Sequence, residues 1–449
     1  MCNLYLMYYT EAENEDFVTC GSVQDQQKSR IADELMAQLT EKKPKSFEID
    51  QNLPPLKPFY GHQLDFGAQT GDISGITYDV YGHYVILNRG NHRWDGSTFS
   101  WGNVYNGDKN SPISMDTVIT LNSTGHVINS WGKDFFYLPH MITIDSENNV
   151  WITDVAMHQV FKFGPYGGKT KQPLIALGQK FEPGGDDLHY CKPTSVAVMK
   201  DARTFFVSDG YCNSRIIQYV IRNINANGYH SVAKVMSFGA KNLPNGATNP
   251  NIYNFQVPHA LTLFEKQNFV CVADREHGLV QCFQISDGIL AFTVNLPSNF
   301  NKVYSIDSDA NYLAILGGPD SQSQSKLLIY DIESHQQIEA EKALVNNPHD
   351  VAMKDGKIIV ANLNPAQIWI FENEQRQGKK IIEESLIVET PKAIVMKTKQ
   401  NNDAVQLWKS LGLIFVFTTG LAMIIFYIRN RRRKLGDGFQ PLKTEEDEL

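Results

Sequence analysis

The sequence predicts an all-β chain that folds as a six-bladed β-propeller, and two observations support this class. A unit of three short strands recurs along the stretch from about residue 70 to residue 375, and its copies follow one another at the spacing of propeller blades. One unit cannot bury its apolar face alone, so six units that close in a ring form a propeller with a central channel. A β-sandwich with coincidental similarity between its segments is the alternative.

Each unit contains an inner, a middle and an outer strand in which apolar and polar residues alternate. In the unit that begins at Pro139 these strands read ITID, VWITD and QVFKF. Four more units begin at Gly75, Pro193, Pro258 and Pro348. A weaker sixth unit begins near Val303, about 45 residues from the copies on either side, which is a typical blade length.

The composition of the 449 residues, with 42% hydrophobic and 20% charged residues, is that of a globular protein long enough for two or three domains. The net charge of -8 argues against a nucleic-acid partner, because no basic face offsets it. Six cysteines are too few for a disulfide-dense small scaffold, although an even number is compatible with bridges.

A segment near the C-terminal end predicts a single transmembrane helix. Residues 411–428 carry no charge and would span roughly 27 Å as a helix, close to the thickness of a hydrocarbon core. Trp408 and Tyr427 suit the two membrane interfaces, and a basic cluster follows. The positive-inside rule therefore predicts a type I membrane protein of the secretory pathway. Its propeller would be lumenal or extracellular, and its tail, residues 429–449, would be cytosolic and could bind trafficking partners.

Polar linkers are expected on both sides of the propeller domain, which we place at residues 60–375. Residues 21–59 form the first linker, and residues 376–410 form the second one, next to the membrane. No signal peptide begins the chain, because the apolar run near Leu4 is short and meets acidic residues. We therefore expect the natural start to lie upstream.

Three histidines directly follow a proline, and each stands at the head of a repeat unit. They are His140, His259 and His349. In a propeller the inner strands begin at one mouth of the channel, so these side chains should converge there. Three neutral imidazoles with an open fourth position form a catalytic zinc site. The alternative is a structural relic of the repeat, but Pro193 is followed by Thr194, so a blade can be built without the histidine.

Two cysteine pairs are placed where adjacent strands of one blade can meet disulfide geometry. Cys271 and Cys282 lie in the middle and outer strands of one blade, and Cys191 and Cys212 flank another. An oxidising compartment favours both bridges. The sequon at Asn122 predicts N-glycosylation in the same compartment.

Three side chains follow the ends of middle strands and enter the loops at the mouth that holds the histidines. They are Arg89, Tyr211 and Arg275. Loops on a rigid scaffold commonly carry function. Two cations and a phenol beside a metal suit an anionic substrate, whose carboxylate an arginine fork can bind.

These motifs resemble those of peptidyl-alpha-hydroxyglycine alpha-amidating lyases, the second half of bifunctional peptidylglycine alpha-amidating monooxygenases. The similar segments include LNRGNHRWDG, YLPHMITID, SDGYCNSRIIQ, FQVPHALTL, VCVADREHG and PHDVAM, and the resemblance covers about residues 60 to 375. It implies a six-bladed propeller of NHL-like repeats. The implied activity is a zinc-dependent lyase that converts peptidyl-α-hydroxyglycine to an amidated peptide and glyoxylate, as in neuropeptide processing.

The resemblance also implies a role for individual residues. His140, His259 and His349 correspond to zinc ligands, and Arg89, Tyr211 and Arg275 correspond to substrate-binding and catalytic positions. A structural calcium site is implied at Asp350 with the backbone carbonyls of Ile76 and Ile142. One departure is Asn347, where the family commonly has methionine, so the local packing beside the metal can differ.

The first twenty residues resemble the last strand of the copper monooxygenase half. In that family the methionine at the position of Met1 is a copper ligand, and the cysteines at the positions of Cys2 and Cys20 are bridged to residues upstream. We read residues 1–20 as a remnant of that domain. One methionine cannot hold copper, so neither copper nor monooxygenase activity is expected of this chain.

The resulting hypothesis makes Tyr211 the general base, with its ionised form favoured by zinc and Arg275, and Arg89 the binding group for the departing glyoxylate carboxylate. One rival is a non-enzymatic propeller on a membrane anchor that binds peptides through its mouth and does not need the histidines. A second rival is a calcium-dependent propeller hydrolase. That class would place several carboxylates at the channel, whereas this sequence supplies Asp350 without an acidic ring.

Overall fold

A computed structural model describes residues 58–168, 172–224, 230–239, 254–319, 325–340 and 347–373 of the chain. Twenty-four strands within these residues form six separate four-stranded antiparallel sheets. The architecture is an all-β, six-bladed propeller, as the repeat predicts. The expected transmembrane helix, the second linker, the cytosolic tail and the monooxygenase remnant lie outside the described residues. Of the first linker, only Pro58 and Phe59 are described, and Phe59 already belongs to the first strand.

The first strand, β1 (Phe59–Leu64), belongs to the last blade, and the next twelve strands form blades 1 to 3 in chain order. Blade 1 contains β2 (Ile73–Tyr78), β3 (Tyr84–Asn88), β4 (Val118–Leu121) and β5 (Val127–Trp131). Blade 2 contains β6 (Pro139–Ile144), β7 (Val150–Asp154), β8 (Gln159–Phe163) and β9 (Ile175–Leu177). Blade 3 contains β10 (Ser195–Val198), β11 (Thr204–Asp209), β12 (Arg215–Ile224) and β13 (His230–Phe238).

Blades 4 to 6 repeat this order, and short 3-10 turns occur at Pro165–Gly167, Glu265–Gln267 and Arg275–His277. Blade 4 contains β14 (Pro258–Phe264), β15 (Phe269–Asp274), β16 (Leu279–Gln284) and β17 (Leu290–Val294). Blade 5 contains β18 (Lys302–Asp309), β19 (Tyr312–Gly318), β20 (Lys326–Asp331) and β21 (Gln337–Glu339). Blade 6 contains β22 (Pro348–Lys354), β23 (Lys357–Asn362) and β24 (Gln367–Asn373).

The ring closes because β1 supplies the outermost strand of blade 6. It pairs antiparallel with β24, from Phe59 opposite Asn373 to Leu64 opposite Ile368. This joins the start of the described chain to its end and completes the four strands of the sixth blade. The repeat pattern indicates three strands per blade and does not indicate this closing strand.

The sequence pattern does not predict the fourth strand of each blade, because these strands are short or mostly exposed. β5 buries only Trp131 among its residues, and in β21 none of the residues is buried. A strand that buries no face carries no alternation of apolar and polar residues. By contrast, every residue of β3, β7 and β8 is buried, which explains why the inner part of each blade was recognisable.

The apolar core lies between neighbouring blades rather than within one sheet. Trp151 of β7 packs on Phe205 of β11 with the ring centroids 4.6 Å apart, and both side chains are fully buried. Equivalent clusters fill the other blade junctions. Because each blade buries its faces against two neighbours, the start of every inner strand is held in a fixed position around the channel. Among the described residues, no helix is long and apolar enough to cross a membrane.

Candidate metal centre and active site

One register position near the start of the inner strands forms the centre of the site. Even-numbered blades place His140, His259 and His349 there, and odd-numbered blades place Ser74, Thr194 and Tyr304. The strand pairing skips this residue in five of the six blades, so that β-bulges occur at the mouth. Bulges re-aim side chains beside functional sites, and here they accompany three imidazoles that point toward one another.

The structure brings the three predicted histidines together. Their ring centroids lie 4.7 to 5.1 Å apart, and one nitrogen of each lies within 4.8 Å of the others. His140 and His259 are fully buried, and His349 is 7% exposed. Three side chains from blades that are far apart in the chain therefore meet at one point on the channel axis.

The odd-numbered blades fix the tautomer of each imidazole. Nδ1 of His140 donates to the carbonyl of Thr194 at 2.9 Å. In the same way His259 donates to Tyr304 at 2.5 Å, and His349 donates to Ser74 at 2.6 Å. A carbonyl oxygen only accepts hydrogen bonds, so Nδ1 carries the proton and Nε2 keeps its lone pair. This is the arrangement of histidines that ligate a metal through Nε2.

The electrostatics of the cluster agree with this assignment. Burial, together with the neighbouring imidazoles and Arg89, holds the pKa of His140 well below its ordinary value. Burial and Arg275 do the same to the pKa of His259, and burial and Arg89 lower the pKa of His349 to about 3. The neutral form is therefore favoured at all three positions. Three buried, neutral imidazoles whose Nε2 lone pairs have fixed orientations fit a zinc ion.

Tyr211 lies against this cluster, where the loop after β11 begins. Its Oη is 3.1 Å from Nε2 of both His140 and His259, and Arg275 Nη1 donates to it at 3.1 Å. The phenol oxygen thus accepts one hydrogen bond from a cation, and its hydroxyl can donate to a histidine Nε2 only when that lone pair is not used to bind a metal. Tyr211 occupies the position from which a group could exchange a proton with a molecule bound at the metal.

Arg89 follows β3 and is 3% exposed. Its Nε donates to the carbonyl of Pro139 at 2.9 Å, while its Nη2 is buried without a hydrogen-bond partner. Burial lowers the pKa of Arg89, although Tyr211 and two carboxylates oppose this effect. A buried guanidinium nitrogen that lacks a partner is costly unless a ligand supplies an acceptor. The free Nη2 is therefore the strongest indication that an anion binds here.

Arg275 begins the 3-10 turn after β15 and is shared between the site and a local ion-pair network. Its Nε donates to Glu276 at 2.7 Å, and the other Glu276 oxygen accepts from Lys302 at 2.9 Å. Burial opposes its charge, but Tyr211 and Glu276 raise the pKa of Arg275 overall. This network holds the guanidinium against the phenol.

An aromatic wall flanks the centre, and sequence reasoning did not select its members. The ring of Trp94 lies 4.7 Å from that of Tyr211 and 6.2 Å from that of His140, and Phe99 packs on Trp94 at 5.3 Å. The Lys192 Nζ lies over Phe99 at 4.7 Å and over Trp94 and Tyr211 at 5.9 Å each. Trp94 stands in the motif that contains Arg89, and that proximity was the only available signal.

Deeper in the channel, Asp350 shares a cavity of about 400 Å³ with Ile76 and Ile142. Its Oδ2 accepts from the Ile76 N–H at 2.9 Å, and its Oδ1 accepts from the Ser305 hydroxyl at 2.7 Å. Burial raises the pKa of Asp350 to about 7, and Asp307 contributes to the rise. In a strand the N–H and C=O of one residue point to the same side, so the Ile76 carbonyl faces Asp350. A buried carboxylate beside a backbone carbonyl fits a calcium ion.

Both predicted cysteine pairs are bonded in the structure, with Cα atoms 5.4 Å apart for Cys191–Cys212 and 4.0 Å apart for Cys271–Cys282. The second bridge joins residues that stand directly opposite each other in β15 and β16. Asn122 lies in the turn after β4, where its side chain accepts hydrogen bonds from Thr124 and from the His126 N–H. Asn122 is partly exposed, and Ser123 and Thr124 are exposed, so the predicted sequon is accessible.

Three residues that directly precede the inner-strand prolines have left-handed backbone angles. The φ values are 58° for Lys192, 69° for Val257 and 59° for Asn347. Such angles are costly for long or β-branched side chains and tolerated by asparagine. The departure at Asn347 thus suits its backbone, and its side chain also donates to the Asn364 carbonyl at 3.1 Å.

A model of the NHL repeat matches residues 136–163 and 255–283, which are the inner parts of blades 2 and 4. Peptidyl-alpha-hydroxyglycine alpha-amidating lyase 1 of Drosophila melanogaster is 37% identical over 346 residues, which are 72% of this chain and 61% of the fly protein. The mouse peptidyl-glycine alpha-amidating monooxygenase is 34% identical over 356 residues, 76% of this chain and 35% of the mouse protein.

A probable peptidyl-alpha-hydroxyglycine alpha-amidating lyase of Caenorhabditis elegans is 34% identical over 307 residues. The match covers 67% of this chain and 82% of the nematode protein. In contrast, the chain matches less than two thirds of the length of the fly and mouse relatives.

Proposed function

The chain belongs to the peptidyl-alpha-hydroxyglycine alpha-amidating lyase family, and from this premise we propose that it cleaves peptidyl-α-hydroxyglycine into an amidated peptide and glyoxylate. This is the second step of peptide amidation. The observation that carries the proposal is the unpartnered, buried Nη2 of Arg89 beside three lone-pair-bearing histidine nitrogens and the hydroxyl of Tyr211. A small molecule that carries a carboxylate next to a hydroxyl could pair its carboxylate with Arg89 and place its hydroxyl beside the histidine nitrogens and Tyr211.

The reaction is the collapse of a carbinolamide. The hydroxyl oxygen loses its proton and becomes the aldehyde oxygen of glyoxylate, while the C–N bond breaks and its electron pair stays on the nitrogen. That nitrogen takes up one proton and becomes the terminal amide. Protons and electrons balance without an oxidant or reductant, which agrees with a lyase.

Three residues of this chain have separate roles in the proposed reaction. Arg89 binds the carboxylate through Nη2, because its Nε is already occupied by Pro139. Tyr211 takes the hydroxyl proton and returns it to the departing nitrogen. Arg275 donates a hydrogen bond to the Tyr211 oxygen and so fixes its position beside the histidines.

We propose zinc as the resident metal, held by Nε2 of His140, His259 and His349. When bound there it would supply Lewis-acid chemistry, which acidifies a hydroxyl group and stabilises a developing oxyanion. We further propose that a calcium ion near Asp350 has a structural role. Removal of calcium should lower the melting temperature, and loss of activity in a fully folded, calcium-free protein would contradict that role.

The test uses the full chain purified in detergent, with zinc content measured by elemental analysis and glyoxylate release measured on a synthetic α-hydroxyglycine peptide. We expect one zinc per chain and turnover. Tyr211→Phe should lower kcat about a hundredfold or more while the zinc content stays unchanged. Turnover that persists in Tyr211→Phe would remove Tyr211 from the proposed role. Peptide binding without glyoxylate release would instead favour the non-enzymatic peptide-binding propeller.

We also propose a type I membrane topology in the secretory pathway, with residues 411–428 as the membrane anchor and Asn122 glycosylated. Two disulfides in the propeller support an oxidising compartment. An enzyme that removes N-glycans should increase the electrophoretic mobility of the protein from secretory membranes but not that of Asn122→Gln. Identical mobility of the two untreated proteins would contradict the glycosylation.

A further inference from the structure

We propose that Lys192 forms a second anion subsite, which favours peptides with an acidic residue directly before the α-hydroxyglycine. This inference rests on the proposed function, since it concerns the substrate class of the same site. The ammonium group of Lys192 lies near the rings of Trp94 and Tyr211, but the proposed reaction assigns no role to its charge.

Lys192 is held beside Tyr211 by covalent structure. The disulfide joins Cys191, which precedes Lys192, to Cys212, which follows Tyr211. The Lys192 N–H also donates to Nδ1 of the buried His158 at 3.0 Å. The left-handed φ of 58° at this lysine is unfavourable for a long side chain, so the surrounding structure must enforce it. The position of the residue is therefore fixed, although its side chain has a flexible stem.

The ammonium group stands among aromatic rings. It lies 4.7 Å from the centroid of Phe99 and 5.9 Å from those of Trp94 and Tyr211. Cation–π attraction to these rings keeps the charge at the mouth. The apolar surroundings also reduce solvent screening, so a carboxylate that approaches the ammonium gains more than at an open surface.

The two arginines at the mouth have roles in the proposed reaction that differ from the role of Lys192. Arg89 is buried and directs its free Nη2 to the reacting carboxylate, and Arg275 is paired with Glu276 and Tyr211. Lys192 is only partly buried, and its Nζ and the Arg89 Cζ each lie 5.9 Å from the ring of Trp94, so a peptide whose terminal carboxylate binds Arg89 would extend close to Lys192. In that arrangement the residue directly before the reacting glycine would lie nearest to Nζ, and an acidic side chain there would complement the ammonium charge.

The test compares two α-hydroxyglycine peptides that differ only in having glutamate or glutamine before the reacting residue. The measured quantity is the ratio of their kcat/KM values, which cancels general effects on catalysis. For the unmodified full chain we expect a preference for glutamate of about two- to fivefold that declines as salt is added. Lys192→Gln should bring the ratio close to one, Lys192→Glu should invert it, and Lys192→Arg should retain it.

Lys180→Gln is the matched control, because Lys180 also lies over aromatic rings, at 4.9 Å from Tyr137 and 5.1 Å from Phe181. It removes the same charge without altering contacts to Tyr211, and the ratio should stay at the unmodified value. Equal ratios in the unmodified chain and Lys192→Gln, or an equal change in Lys180→Gln, would overturn the subsite. If neither peptide releases glyoxylate, the proposed function fails instead.

Discussion

The odd and even blades of this propeller contribute to the same site in different ways. Even blades 2, 4 and 6 supply the side chains of the histidines, whereas odd blades 1, 3 and 5 supply backbone carbonyls that bind each Nδ1. Odd blades add support through hydroxyls as well, since Ser74 and Thr194 donate to the carbonyls of Pro139 and Pro258. The proposed ligand positions require a histidine side chain, whereas the supporting positions act through a backbone carbonyl that any residue supplies.

Replacement of one of the proposed zinc ligands in the even blades should have the largest effect. His259→Ala removes one of three nitrogen donors, so we expect loss of zinc and a drop in turnover of about a thousandfold or more. Elemental analysis measures the zinc content, and the glyoxylate assay measures the turnover.

Thr194→Val is the matched variant in an odd blade. It keeps the carbonyl that holds His140, so zinc should remain stoichiometric, with affinity weakened at most about tenfold to a hundredfold. Equal zinc loss in the two variants would show that the blades do not differ as described.

Blade 1 also contributes Arg89. The Nε of Arg89 and the Ser74 hydroxyl both donate to the carbonyl of Pro139. Arg89→Lys keeps the charge but removes the forked geometry and the free Nη2. We expect kcat/KM to fall about a hundredfold, mainly through weaker binding of the carboxylate. Steady-state kinetics on the same peptide measures this. Nearly unchanged kinetics would mean that a point charge is enough at this position.

His158 shares the burial of the metal-site histidines but lies outside their cluster. Burial lowers its pKa to about 4, with Lys192 contributing. The unfolded chain binds this proton near pH 6.5 and the folded chain does not, so stability falls as the pH drops from 6.5 toward 4. Between pH 7 and pH 5 the loss should be about 2 kcal/mol, measured by denaturant unfolding. His158→Asn keeps an acceptor for the Lys192 N–H and should lose this dependence; an unaltered pH profile in the variant would contradict the assignment.

The smallest effects are expected at the residues before the inner-strand prolines. Val257 and Asn347 have similar left-handed φ angles, and only asparagine tolerates them well. Asn347→Val should therefore destabilise the fold by about 1 kcal/mol, and Val257→Asn should stabilise it by a similar amount. Thermal unfolding measures both shifts. Shifts of the same sign in the two variants would indicate that side-chain packing, not backbone angle, decides these positions.

The sequence by itself determined the blade repeat, the three histidines and the cysteine pairs, because alternation and side-chain type are written directly in the residues. It also pointed to Arg89, Tyr211 and Arg275, since each follows a recognisable middle strand. The calcium interpretation at Asp350 came from resemblance, and the structure adds its deep burial and its hydrogen bond with Ile76.

Only the tertiary structure decided how these pieces meet. The sequence did not predict the closing strand β1 or the exposed outer strands, because exposed strands need no alternation of apolar and polar residues. It also did not predict the carbonyls that orient the imidazoles, because backbone groups are the same in every residue. The approach of Lys192 to Tyr211 occurs beside the disulfide Cys191–Cys212, which joins the residue before Lys192 to the residue after Tyr211. Contacts of this kind arise from chain closure over long separations, and local sequence does not encode such distances.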